Sequence, residues 1–285
     1  MRKEVLAPLA ALVLGAGGFA LRKWELATAF EPDTGLVTPG MPSTIALIVL
    51  SVAAALLFFF LVRGQHYPFP GGYDQAFSVS GDTLTVTALV LAAFLMAASG
   101  LWNLYLHFLA REAVFPITRL LQSVLSLVSA GTVFYLTARS YRGQSVGQYP
   151  MGALAPGYTF CLWLTASYQS RAADPVVQDY LYELLAIICA LLAAYYIASF
   201  AFAKKKKVTN TLFFGLLTVY FILTTLADSH DGPTMLLYGG ALLYILTMSY
   251  CLLRAEGQPH PDPVPEAASQ EEPQVESSNR EDITQ

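Results

Sequence analysis

One boundary constrains this chain more than any other. A run of mostly apolar residues from Tyr180 to Ala203 leads straight into Lys204, Lys205, Lys206 and Lys207. Four ammonium groups at the end of an apolar helix stay hydrated only where that end meets a membrane surface. Positive charge collects on the cytoplasmic side because it is poorly translocated. The lysine run therefore predicts a membrane-spanning helix whose final turn lies inside the cell, and every other span must be threaded to agree with it.

Composition supports that environment. Of the 285 residues, 55% are hydrophobic and 13% charged, with a mean hydropathy of +0.51; soluble domains carry about 25% charged residues. The net charge of -4 is misleading, because acidic residues concentrate after Arg254, where Arg280 is the sole basic residue. The body, residues 1–254, is slightly basic, which suits loops that meet anionic lipid. The segment 255–285 is rich in Pro, Glu, Gln and Ser, cannot bury enough apolar surface to order itself, and is expected to be a disordered acidic tail.

Hydrophobic stretches place the spans at Val5–Leu21, Thr44–Val62, Leu84–Leu109, a fourth ending near Leu136, Gly152–Ser167, Tyr180–Ala203, Leu212–Leu226 and Met235–Leu253. The first is longer than the apolar core of about 7–15 residues in a signal peptide, and Arg22-Lys23-Trp24 follows it at once. It reads as a retained helix; cleavage would leave seven spans. The fifth is short for a span of about 20 residues and contains Pro156-Gly157, so a re-entrant segment is the alternative. Arg22–Ser43 and the aromatic, Gly/Pro-rich 65–82 read as connecting loops.

The expected fold is thus an all-α integral membrane bundle of about eight transmembrane helices, with both termini cytoplasmic. Threaded this way, eleven of the sixteen Lys and Arg residues fall inside, and Arg22, Lys23, Arg111, Arg119 and Arg171 fall outside. Short loops and compact organisation point to a bacterial cytoplasmic membrane.

Polar residues recur at helical spacing near the outer ends of these spans. Asn103, His107 and Arg111 lie four apart; Arg119 is followed by Gln122, Ser123 and Ser126; Asp179 and Glu183 are four apart; Thr224 and Asp228 share a face, with His230 beyond. Ionisable groups at membrane depth are costly and face a partner or a water-filled cavity. The pairing expected is Glu183 with Arg119 or Arg111. Three uses of this layer are open: interfacial ion pairs, a solute-binding cavity, or a metal or catalytic site built from His107, Glu183, Asp228 and His230.

Other chemistry finds no support. The chain carries no GxSxG, HExxH, GxxxxGK[ST] or CxxC, and its three cysteines, Cys161, Cys189 and Cys251, read as buried thiols within apolar stretches. No cofactor is implied, and no basic, aromatic-interleaved patch suggests nucleic acid. Small residues four apart (Ser51/Ala55, Ala93/Ala97, Ser126/Ala130) let helices approach closely. The expectation is a membrane-embedded solute-binding or permease-like protein, or a subunit of one, whose partners are the lipid bilayer and a small solute. The alternative is a scaffold that recruits a protein partner through its cytoplasmic loops and tail.

Overall fold

A computed structural model describes residues 3–31, 36–109, 117–172, 176–203 and 206–257. These form α1 (Lys3–Thr28), α2 (Pro42–Val62), the five-residue α3 (Gly72–Ala76), α4 (Thr83–Leu109), α5 (Ile117–Tyr141), α6 (Pro150–Arg171), α7 (Val177–Phe202), α8 (Val208–Thr225) and α9 (Gly232–Glu256). Among the described residues there is no strand, only an isolated bridge between Phe30 and Val37. Seven helices are long and apolar enough to cross a membrane. The chain is an all-α multi-pass membrane bundle.

The expected fifth stretch is one continuous helix, α6, of 22 residues, about 33 Å at 1.5 Å per residue. It therefore has the length of a span without the apolarity. The difference lies in Thr165, Ser167, Gln169, Ser170 and Arg171, which make its second half polar. α1 also outruns its expected end. Arg22, Glu25 and Ala29 are buried while Lys23, Trp24 and Thr28 are exposed, so the amphipathic period carries the helix through residues expected to be loop.

Contacts at helix ends show that the eight long helices alternate in direction. At one end, Thr28 Oγ1 meets Ser43 Oγ at 3.0 Å (α1 to α2), Thr118 donates to Gln169 at 2.8 Å (α5 to α6), and Arg171 reaches Asp179 at 3.4 Å (α6 to α7). At the other, Thr209 donates to the Gln65 carbonyl at 2.7 Å (α8 to the end of α2), and Arg254 pairs with Asp82 (α9 to the start of α4). The start of α1 and the end of α9 share this second end, called here the lysine end because Lys206 and Lys207 lie there. Lys204 and Lys205 lie outside the described residues. Lys206 curls back to donate to the carbonyls of Phe200 and Ala203 at 2.7 and 2.6 Å, capping α7.

α8 is the axis of the bundle: 72% of its most apolar window is buried inside the molecule, against 22% for the lipid-facing α2. α1 lies against it closely. A Cβ on Gly18 would run into Thr224 Oγ1, and one on Gly15 would sit 2.5 Å from Leu223 Cδ1. Of the small-residue positions, Ser51 bonds Tyr220 at 2.9 Å (α2 to α8) and Ser126 donates to the Met96 carbonyl at 2.7 Å (α5 to α4). Cys189 and Cys251 are buried; Cys161, expected buried, is an exposed residue of α6.

The 65–82 connection is a folded plug across the lysine end. Glu256 accepts from the amides of His66 and Tyr67, and Asp74 accepts from Val146 and Gly147 at 2.7 and 3.0 Å and from Ser145 at 2.6 Å. Phe69, fully buried with a φ of 46°, packs its ring on Phe200 of α7 at 6.0 Å. Gly72 takes a φ of +64° where a Cβ would lie 3.1 Å from the Phe200 carbonyl, so glycine alone fits without strain. Glu256 belongs to α9 rather than to the acidic tail; residues 258–285, where that tail was expected, lie outside the described residues.

Two outcomes test this packing. Gly18→Val should destabilise the purified protein by roughly 1–3 kcal/mol through overpacking, while Gly131→Val, whose Cβ meets nothing within 4 Å, should leave thermal unfolding in detergent almost unchanged. At the lysine end, Asp82 caps α4 by accepting from the Thr85 amide at 3.2 Å. Burial pushes its carboxyl up, but hydrogen bonding with Thr85 and the adjacent Arg254 guanidinium draw it below the ordinary value. Its stabilisation is therefore present above the unfolded-state value and lost as pH falls through the lower folded-state value. Asp82→Ala should cost roughly 0.5–2 kcal/mol at neutral pH, and the gap from the natural protein should close on acidification through that range.

Candidate functional site

At the end opposite the lysines, the polar layer opens into a cavity of about 350 Å³. Each wall follows from helical spacing. On α6, Trp163, Ser167 and Ser170 recur every three or four residues on one face, with Arg171 next to Ser170; α7 presents Glu183; α4 presents Asn103, and α5 presents Arg119 and Gln122. The α8–α9 turn closes the side with Ser229, His230 and Asp231, followed by Thr234 of α9.

Charges in this wall are paired. Arg171 stands 3.4 Å from both Glu183 and Asp179, and Ser167 donates to Glu183 through a short hydrogen bond. Arg119 faces Asp231 at 3.9 Å, with both side chains about two-fifths exposed. The expected pairing of Glu183 with Arg119 is therefore not formed. Glu183 is taken by Arg171, which the short α6–α7 connection brings beside it, and Arg119 by the head of α9. Arg111 lies outside the described residues.

His230 is oriented by its backbone neighbour. Its Nε2 lies 2.7 Å from the Thr225 carbonyl, which only accepts, so Nε2 carries a proton and donates it there. The ring rests on Tyr238 at 4.9 Å, and Tyr238 on Trp163 at 4.6 Å. Asn103 and Gln122 are each only 6% exposed. Neither side-chain amide hydrogen-bonds to any described residue.

Four of the eight expected residues thus line the cavity: Asn103, Arg119, Glu183 and His230. Asp179 sits at its rim through Arg171. His107, a turn beyond Asn103, is not part of the lining; its ring meets Phe108 at 5.2 Å. Asp228 is turned to a different partner. The set imagined for a metal or catalytic centre is thereby divided, and among the described residues no three His, Cys, Asp or Glu side chains are grouped to hold a metal ion.

Asp228 belongs to a buried ion network that sequence reasoning missed. Arg22, fully buried, donates through Nε to Asp228 at 2.7 Å, through Nη1 to Glu25 at 2.7 Å and through Nη2 to the Asp179 carbonyl at 2.8 Å. The guanidinium also lies over the rings of Tyr182 and Phe30 at 5.4 and 5.7 Å. Burial pushes the Asp228 carboxyl above the ordinary value, by more than Arg22 draws it back. Thr225 Oγ1 bonds Asp228 Oδ2 at 3.0 Å, and the Thr225 carbonyl takes the His230 proton, so the network abuts the cavity wall. The available signal was the three-residue spacing of Arg22 and Glu25, which places opposite charges on one helical face just past an apolar run.

Removing one partner of a buried network strands the others. Arg22→Ala should destabilise by about 3–5 kcal/mol, read as a loss of thermal stability in detergent. Replacing Arg22, Glu25 and Asp228 together by leucine should recover most of that loss. Comparison of the chain with protein-family models, curated proteins and solved structures yields no match, so the reading of this site rests on its geometry.

Proposed function

We propose that the protein is a membrane-embedded solute-binding protein of permease type, or a subunit of one, that takes its solute from outside the cell. The observation that carries this reading is the cavity itself, in which five helices and the α8–α9 turn present amides, hydroxyls, an imidazole and paired charges at one end of the bundle. Its volume lies in the range of small-molecule sites, about 300–1,000 Å³. Polar groups at membrane depth are retained where they face water or a solute.

The positive-inside rule supplies the orientation. The lysine end carries Arg63, Arg139, Arg142, Lys206, Lys207 and Arg254, and the cavity end carries Lys23, Arg119 and Arg171. Arg22, counted as an outer cation on sequence, is neutralised by Glu25 and Asp228 and weighs little on that balance. The cavity then faces outward and both termini lie in the cytoplasm, in a bacterial cytoplasmic membrane.

The test is a thermal-stability screen of the purified full-length protein against sugars, polyols, amino acids, carboxylates, nucleotides, lipids and metal salts. A bound solute at about 100 times its dissociation constant should stabilise the protein by about 2.7 kcal/mol. Glu183→Gln should abolish that shift while leaving membrane insertion intact. A screen flat across all classes, with a cytoplasmic protein captured by residues 256–285, would replace this reading with the scaffold alternative.

A further inference from the structure

The wall of the cavity also specifies what kind of solute fits it, if the solute-binding reading above holds. We infer that the site takes a small, uncharged, hydroxyl-rich solute, a polyol or monosaccharide, gripped by Asn103 and Gln122.

The charged groups argue against an ion. Every ionised side chain of the lining has a counter-charge within 4.0 Å: Arg171 with Glu183 and Asp179, Arg119 with Asp231. A net-charged solute would meet, beside each attractive group, a repulsive one already held by it. The pairs act as a nearly neutral, strongly hydrogen-bonding wall.

The neutral groups are the ones left without partners. Asn103 and Gln122 are both 94% withdrawn from solvent, line the cavity, and make no side-chain hydrogen bond to any described residue. With no protein partner, and with their polar atoms not sealed from the cavity, the two amides are left to bond whatever fills that space, water or solute. Each offers an N–H₂ donor beside a carbonyl acceptor. A hydroxyl both donates and accepts, and two adjacent hydroxyls match an amide in both senses. His230, its Nε2 committed to the Thr225 carbonyl, leaves Nδ1 as its one uncommitted polar atom in the same lining. Trp163, on the same wall, is backed by Tyr238 at 4.6 Å and supplies a rigid apolar surface for the C–H face of such a molecule.

Equilibrium dialysis of the full-length protein in detergent tests this, with radiolabelled sorbitol, glucose and inositol set beside glycine betaine, succinate and choline. The expected result is saturable binding of a neutral polyhydroxyl probe, weakened about tenfold or more by Asn103→Leu or Gln122→Leu and little affected by raising the salt concentration. If a leucine variant does not elute as a folded monodisperse species, Asn103→Ala and Gln122→Ala carry the same expectation. Binding of a charged probe in preference to all three polyols, or polyol binding indifferent to both amides, overturns the inference and leaves the solute-binding reading standing. Absence of binding by any of the six probes overturns the inference, and a flat stability screen alongside it removes the solute-binding reading as well.

Discussion

A single guanidinium holds the cavity end together. Arg22 has no exposure to solvent, so its charge can persist only because Glu25, Asp228 and the Asp179 carbonyl receive its donors. Those acceptors come from α1, the α8–α9 turn and the first turn of α7. Satisfying one ion therefore fixes three chain segments against each other. A buried ionic network of this kind adds little net stability over apolar packing, but it tolerates no other arrangement of its members. Asp179 then holds Arg171 with its carboxylate, and Thr225 links Asp228 to the bond that sets His230. Two walls of the cavity inherit their positions from Arg22.

The contrast between the two polar regions is informative. Around Arg22 each guanidinium nitrogen has an acceptor; Asn103 and Gln122, in contrast, line the cavity without a hydrogen bond to any described side chain. One set holds chain segments together, while the other leaves its hydrogen-bonding groups open to the cavity. The aromatic stack of Trp163, Tyr238 and His230 lies between them.

Much of this was legible from spacing. The eight helices follow from hydrophobic runs, and the stripes Asn103–His107, Arg119–Gln122 and Asp179–Glu183 follow from the helical repeat, because both depend on residues near in sequence. Pairing was not. Whether Glu183 meets Arg119 or Arg171 depends on which helices are neighbours, and α5 and α6 present their arginines at the same level. Arg22 was misplaced because a charge after an apolar run reads as a helix end; only Glu25, Ala29 and the distant Asp228 make it an interior residue. The plug was hidden by its composition, since Tyr67-Pro68-Phe69-Pro70-Gly71-Gly72 carries no helical period even though Phe69 and Gly72 are held in defined, left-handed conformations.

The plug has a mechanical consequence. α4, α5, α6, α7 and α9 each contribute to the cavity at one end and, at the other, touch the plug or the small space of about 20 Å³ beneath α3. A helix of 25 residues such as α5 is a rod of roughly 37 Å, and pivoting it by about 5° at one end displaces the other by roughly 3 Å. That is the length of a hydrogen bond. The bonds from Asp74 to the α5–α6 connection and from Glu256 to His66 and Tyr67 are of just that length. Tilting of a rigid helix by that angle therefore spans the difference between these bonds made and broken, so the geometry of the cavity end and the seating of the plug are mechanically linked.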